Sequence, residues 1–204
     1  MKRHTLILLA LAALLAAGCV QLTHDPVDKR YYQITPERTA AGAATNKDMV
    51  LKVRRLSVSD LYNTRELVYR EADGRVESDY YNMFFVTPGD MLTQELRQWL
   101  RDSNLFTHVI EPGSMVVPGL TLEGVVNALY GDYTADAPTA VVEMQFFVVD
   151  ESTSRNVIVF SAGYTQRVPV SKADPTELVK AMTQGVETIF TNLETDLAKA
   201  PLTP

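Results

Sequence analysis

The sequence predicts an α+β fold, a mostly antiparallel mixed sheet with two helices packed on one face. Segments with strand-like apolar alternation outnumber helical ones. The two segments with helical apolar spacing lie far apart, near residues 88–103 and 174–199. An Asp-Gly pair joins two of the strand-like segments as a hairpin.

The chain opens with Lys2 and Arg3, an apolar run over residues 6–17, the small residues Ala16-Ala17-Gly18, and Cys19. This is the layout of a secretory signal. The run is shorter than the roughly 20 residues that span a bilayer as a helix. The pattern resembles a lipobox, with Ala16 in place of the usual Leu, and predicts cleavage before Cys19. The cysteine would carry covalent diacylglycerol and N-acyl groups. Cys19 is the only cysteine, so no intramolecular disulfide is available, and lipidation accounts for a lone thiol in an exported chain. Two or more acyl chains make a stable anchor. Val20 stands where Asp tends to retain lipoproteins on the inner membrane, which favours the periplasmic face of the outer membrane.

Three regions follow: a signal peptide at 1–18, the lipidated cysteine and a tether at 19–30, and a single α+β domain at 31–204. Removing residues 1–18 leaves 17 Lys and Arg against 25 Asp and Glu, a net charge of −8. This balance argues against nucleic acid.

Within the domain, residues 31–35 read as a short strand ended by Pro36, and 37–48 as a loop. Residues 49–58 read as a strand. Residues 66–72 and 75–81 flank Asp73-Gly74, which favours a two-residue type I′ turn. That turn puts Arg70 opposite Glu77, an attractive pair. Thr87-Pro88-Gly89-Asp90 opens a helix with Thr87 as cap. Leu92, Leu96, Trp99 and Leu100 form its apolar face; Glu95, Arg97, Gln98 and Arg101 face out, and Asn104 is its left-handed stop.

Residues 106–111 form a short strand closed by Pro112-Gly113, and longer strands follow at 120–130, 139–150 and 156–170. The middle one is apolar on both faces, Ala140, Val142, Met144, Phe146 and Val148 on one and Val141, Phe147 and Val149 on the other. It belongs near the sheet centre, covered on both sides over part of its length. Asp174-Pro175-Thr176-Glu177 has the form of a capping box. Leu178, Met182, Val186, Ile189, Leu193 and Leu197 then make one continuous apolar stripe.

The inventory does not favour catalysis. Of the three histidines, His4 leaves with the signal, His24 lies in the tether, and His108 sits in a short strand. Gly-x-Ser-x-Gly, His-Glu-x-x-His, Walker-type and dinucleotide-glycine patterns are absent. Asp132, Asp136, Asp150 and Glu151 match no calcium loop and read as solvated turn residues. A non-enzyme without metal or cofactor is expected.

Several segments resemble the ABC-type transport auxiliary lipoproteins, the PqiC-like family, over roughly residues 30–195. They are Tyr31-Tyr32, Leu67-Val68-Tyr69-Arg70, Tyr80-Tyr81-Asn82-Met83-Phe84-Phe85, the Leu-Arg-Gln-Trp-Leu helix, Ser103-Asn104-Leu105-Phe106 and Leu122-Glu123-Gly124. Many members carry a tryptophan just before the first helix, where this chain has Phe84-Phe85. The resemblance implies a non-catalytic auxiliary of an intermembrane lipid transport system, working beside an ABC permease, its ATPase and an MCE-domain protein. Such a lipoprotein docks on the distal end of the MCE bridge and anchors it at the outer membrane, with phospholipid as a further ligand. Exposed aromatics and arginine are the natural docking anchors, and Tyr62, Tyr69, Arg70 and Tyr81 are the candidates. Tyr69 and Arg70 point to opposite faces of their strand. A lipid carrier with its own apolar cavity and an assembly lipoprotein of another envelope machine are the alternatives.

Overall fold

A computed structural model describes residues 28–39, 47–152 and 155–202. The signal segment, Cys19 and most of the tether lie outside these residues. In chain order the elements are β1 (Arg30–Tyr32), β2 (Lys47–Val53), β3 (Ser57–Val58), β4 (Glu66–Glu71), β5 (Val76–Phe84), α1 (Pro88–Asp102), β6 (Phe106–Ile110), β7 (Leu120–Tyr133), β8 (Thr139–Asp150), β9 (Val157–Pro169) and α2 (Pro175–Lys199).

The strands form one mixed sheet. The long ladders, β7 to β8 and β8 to β9, are antiparallel. The other edge of β7 takes three short parallel strands end to end: β2 at Leu120–Leu122, β3 at Val125 and Val126, and β4 at Gly131–Tyr133. Two arms extend from there. β2 carries β6 in parallel, while β4 carries β5 antiparallel and β5 carries β1 in parallel.

Both helices cover one face and share one core with it. The stripe of α2 from Leu178 to Leu197 is fully buried, as are Leu92, Leu96 and Leu100 of α1 and the even-numbered face of β8 from Ala140 to Val148. The opposite face of β8 is covered only at Val141, which packs with Val68, Ala128 and Tyr130. Trp99 ties the helices together. Its ring meets Phe190 edge-on at 5.7 Å, and its indole N–H donates to Glu194 at 2.8 Å. Arg38 donates to the same carboxylate from two nitrogens, at 3.0 and 2.6 Å.

Five local expectations are corrected. The hairpin is not type I′. Gly74 alone adopts positive φ there, at 85°, and the Glu71 carbonyl accepts the Gly74 N–H. This is a three-residue turn closed by a left-handed glycine, the other conformation that Asp-Gly suits. Tyr69 therefore pairs with Glu77 and Arg70 with Val76; Arg75 takes up Asp73 and Glu77 instead.

The strand expected at 49–58 breaks after Val53. The chain leaves the ladder so that the buried Leu56 N–H can donate to Thr93 Oγ1 of α1 at 2.8 Å. Gly124 makes room for this: a side chain there would lie 2.6 Å from Leu56 and 2.9 Å from Phe146. Thr87 is the cap residue of α1, but its hydroxyl donates to Asp90 and accepts no backbone N–H. Asp132 and Asp150 are buried, not solvated. They accept backbone N–H groups of Thr134 and Ser152, and Asp132 also pairs with Arg167.

Other signals hold locally. Asn104 has φ 55° just past α1, and Asp174 accepts the Thr176 and Glu177 N–H groups at the start of α2. Glu95 and Arg97 are half-buried where full exposure was expected. Burial pushes the Glu95 carboxyl up.

Candidate functional site

The most distinctive surface is the β1–β5 edge, and it is built by one carboxylate. Leu67 pairs with Asp79 but Glu66 pairs with Met83, so residues 80–82 have no partners in the β4 ladder. Such a bulge re-aims side chains. Asp79 holds it. One carboxylate oxygen accepts the backbone N–H groups of Tyr81 and Asn82 at 2.9 and 3.0 Å, and the other accepts Asn82 Nδ2 and the Tyr69 hydroxyl at 2.9 and 2.8 Å. Asn82 Oδ1 in turn accepts the Tyr32 hydroxyl.

The electrostatics follow from this geometry. Burial alone pushes the Asp79 carboxyl up, but the four donors outweigh it and hold the group below its ordinary value. The Tyr69 hydroxyl is pushed up, first by burial and then by its bond to Asp79.

The bulge turns Tyr80 and Tyr81 into solvent side by side. They are 57% and 55% exposed, with rings 5.4 Å apart and edge-on. Lys29, the last tether residues' cation, lies 3.9 Å over the Tyr80 ring. Beside them Tyr31 and Phe85, also exposed, meet edge-on at 6.1 Å. Arg65 lies 5.6 Å from the Tyr31 ring and donates to the Phe84 carbonyl.

The four sequence-predicted docking residues do not form one patch. Tyr81 is on this edge. Tyr69 is half-buried against the helix-side core, edge-on to Tyr133 at 5.5 Å, and joins Tyr81 only through Asp79. Tyr62 is half-buried on the helix-free face, stacked on Tyr130 at 5.5 Å; burial, then Tyr130, pushes its hydroxyl up. Arg70 is exposed on the same face as Val68, two residues away along β4. Sequence reasoning missed Tyr31, Tyr80 and Phe85. The available signal was the Tyr80-Tyr81 doublet after an aspartate, because an aspartate that bonds the backbone two residues on makes a local turn.

A cleft of about 670 Å³ lies between α1 and the end of β6. Its lining includes Arg55, Asp90, Arg97, Arg101 and Glu111, with Arg55 paired to Asp90 and Arg97 to Glu111. Apolar ligand pockets are lined otherwise. Among the described residues no group of three or more His, Cys, Asp and Glu could hold a metal ion, and no helix is long and apolar enough to cross a membrane.

Residues 32–193 match the family described as ABC-type transport auxiliary lipoprotein component. The chain belongs to this family. The match spans every strand and helix from β2 to β9, the bulge included, and most of α2. The fold is similar to a solved protein of Xanthomonas campestris, 19% identical over 81% of this chain and 90% of that one, with a TM-score of 0.66. It is also similar to an uncharacterized protein, 16% identical over 83% and 98%, TM-score 0.65. A hypothetical protein of Chlamydia trachomatis shares the fold at 8% identity over 74% and 98%, TM-score 0.55. No curated protein matches the chain in sequence. As an auxiliary lipoprotein component, this family member associates with an ABC-type transport system at a membrane of the cell envelope.

Proposed function

We propose that the protein is an outer-membrane-anchored, non-catalytic adaptor of an ABC/MCE-type intermembrane lipid transport system. The family match over residues 32–193 is the observation that carries this reading. Lipid on Cys19 would hold the domain at the periplasmic face of the outer membrane. The domain would hold the distal end of an MCE-domain protein, whose inner-membrane end meets the permease and ATPase. The charged lining of the α1–β6 cleft supports an adaptor over a lipid carrier, because a carrier needs an apolar cavity of comparable size.

For the protein partner we favour the helix-free face around Tyr62 and Arg70. Tyr62 lies half-exposed over the buried Val68, Tyr130 and Val141 there, and Arg70 stands exposed beside it. Hot spots favour such an arginine and tyrosine pair. Tyr69 serves this surface indirectly, by fixing the β4–β5 arm through Asp79.

The test is affinity capture of the intact protein from native membranes. The MCE-domain protein, permease and ATPase are expected with it. Arg70→Glu is expected to cut their recovery about tenfold, the effect of losing about 1.4 kcal/mol, without changing membrane location. Recovery of a different envelope machine alone, or phospholipid held stoichiometrically by the purified domain, would contradict the adaptor reading.

A further inference from the structure

We infer that the β1–β5 edge lies in the headgroup region of the phospholipid bilayer that holds Cys19, with Tyr31, Tyr80, Tyr81 and Phe85 as its interfacial contacts. This inference rests on the reading that Cys19 is lipidated. Three observations support it.

The first is covalent reach. Eleven peptide steps join Cys19 to Arg30, the first residue of β1. Whatever their conformation, they reach at most about 40 Å. The β1 edge is therefore the part of the domain bound closest to the acyl chains. A second contact there is intramolecular, so even a weak one is populated at the millimolar effective concentration of a short linker.

The second is chemistry. Tyrosine and phenylalanine side chains with basic neighbours suit the zone where one end of a side chain is apolar and the other wet. The exposed aromatics here stand among Lys29, Arg30 and Arg65. Asp28 adjoins them in sequence, whereas the Asp79 carboxylate is turned to its four donors. The predicted mature chain carries a net charge of −8, so a bilayer with anionic lipid repels the domain as a whole. An edge whose three cations offset the neighbouring Asp28, Glu66 and Asp174 is the part that can approach it.

The third is orientation. Glu66, the partner of Met83, lies three residues before Tyr69, which pairs with Gly131 near the end of β7. The exposed apolar loop Met115–Val117 lies at the other end, just before Leu120. Some nine strand residues, about 30 Å, separate these levels. An edge resting on the bilayer leaves that loop pointing into the periplasm.

The intact lipidated protein offers a direct test, because lipidation occupies the only native thiol. Gln33→Cys, an exposed site beside β1, and Met115→Cys each provide a single position for an environment-sensitive fluorophore. The labelled proteins are reconstituted in phosphatidylethanolamine and phosphatidylglycerol vesicles containing nitroxide-labelled lipid. Quenching at position 33 is expected to exceed that at 115 at least threefold. The Tyr80→Ser, Tyr81→Ser double variant should bring position 33 down to the level of 115 while the protein still floats with the vesicles. Equal quenching at both positions, or none at 33 on vesicles that carry the protein, overturns the inference but leaves the lipid anchor standing. Failure of the unsubstituted protein to float overturns the anchor itself. Shielding of position 33 only when the transporter is present assigns the edge to a protein partner and also overturns the inference.

Discussion

Replacing Ile189 by Asp is expected to leave no folded population at room temperature. Ile189 is fully buried in the middle of α2, on the stripe that meets the sheet. Removing its side chain alone costs about 2 to 5 kcal/mol in lost burial and cavity. An unpaired carboxylate there adds several kcal/mol more for desolvation. The sum is comparable to the roughly 5 to 15 kcal/mol that holds a domain folded. Circular dichroism melting provides the measurement, with Ile189→Val as a control expected to lose only about 1 kcal/mol. A melting curve for Ile189→Asp within a few degrees of the parent would show that α2 does not pack through this face.

Glu194→Ala is expected to produce the second largest loss. The Glu194 and Arg38 side chains are only 13% and 9% exposed, and Glu194 also accepts the Trp99 indole N–H. Its removal leaves a buried guanidinium without this carboxylate and a buried indole without its acceptor. Breaking such a pair from one side costs roughly 3 to 5 kcal/mol, a fall in Tm of about 10 °C or more for a domain of this size. Arg38 precedes β2 and Trp99 lies in α1, so the same change loosens the segment after β1 and the α1–α2 contact together. Arg38→Met,Glu194→Met should recover part of the loss, because no unpaired charge remains. A single variant as stable as the parent would show that the carboxylate is dispensable there.

The two helices and the central strand were legible because periodicity survives burial. Every residue of the α2 stripe from Leu178 to Leu197 and of the β8 alternation from Ala140 to Val148 is buried. Non-local pairing leaves no such trace. Nothing in residues 47–71 marks three successive parallel strands along one edge of β7, since parallel partners are brought together by connections far away in sequence. The hairpin register was off by one residue because Asp-Gly suits both a two-residue and a three-residue turn, and the φ of Asp73, which is not positive here, separates them.

The candidate site was half legible for a similar reason. Tyr81 was identifiable as an aromatic at a strand end. Its pairing with Tyr80, and the loss of Tyr69 to the interior, depend on one aspartate bonding two consecutive backbone N–H groups. That choice is made by the folded environment of Asp79, where Asn82 and Tyr69 complete its hydrogen bonds.

The sulfur of Cys19 decides whether the domain works beside a bilayer at all. Intact-mass analysis of the protein extracted from native membranes tests this most directly. A chain beginning at Cys19 and heavier by a diacylglycerol and one further acyl group is the result expected. A free thiol at Cys19, or a product that keeps residues 1–18, would contradict it.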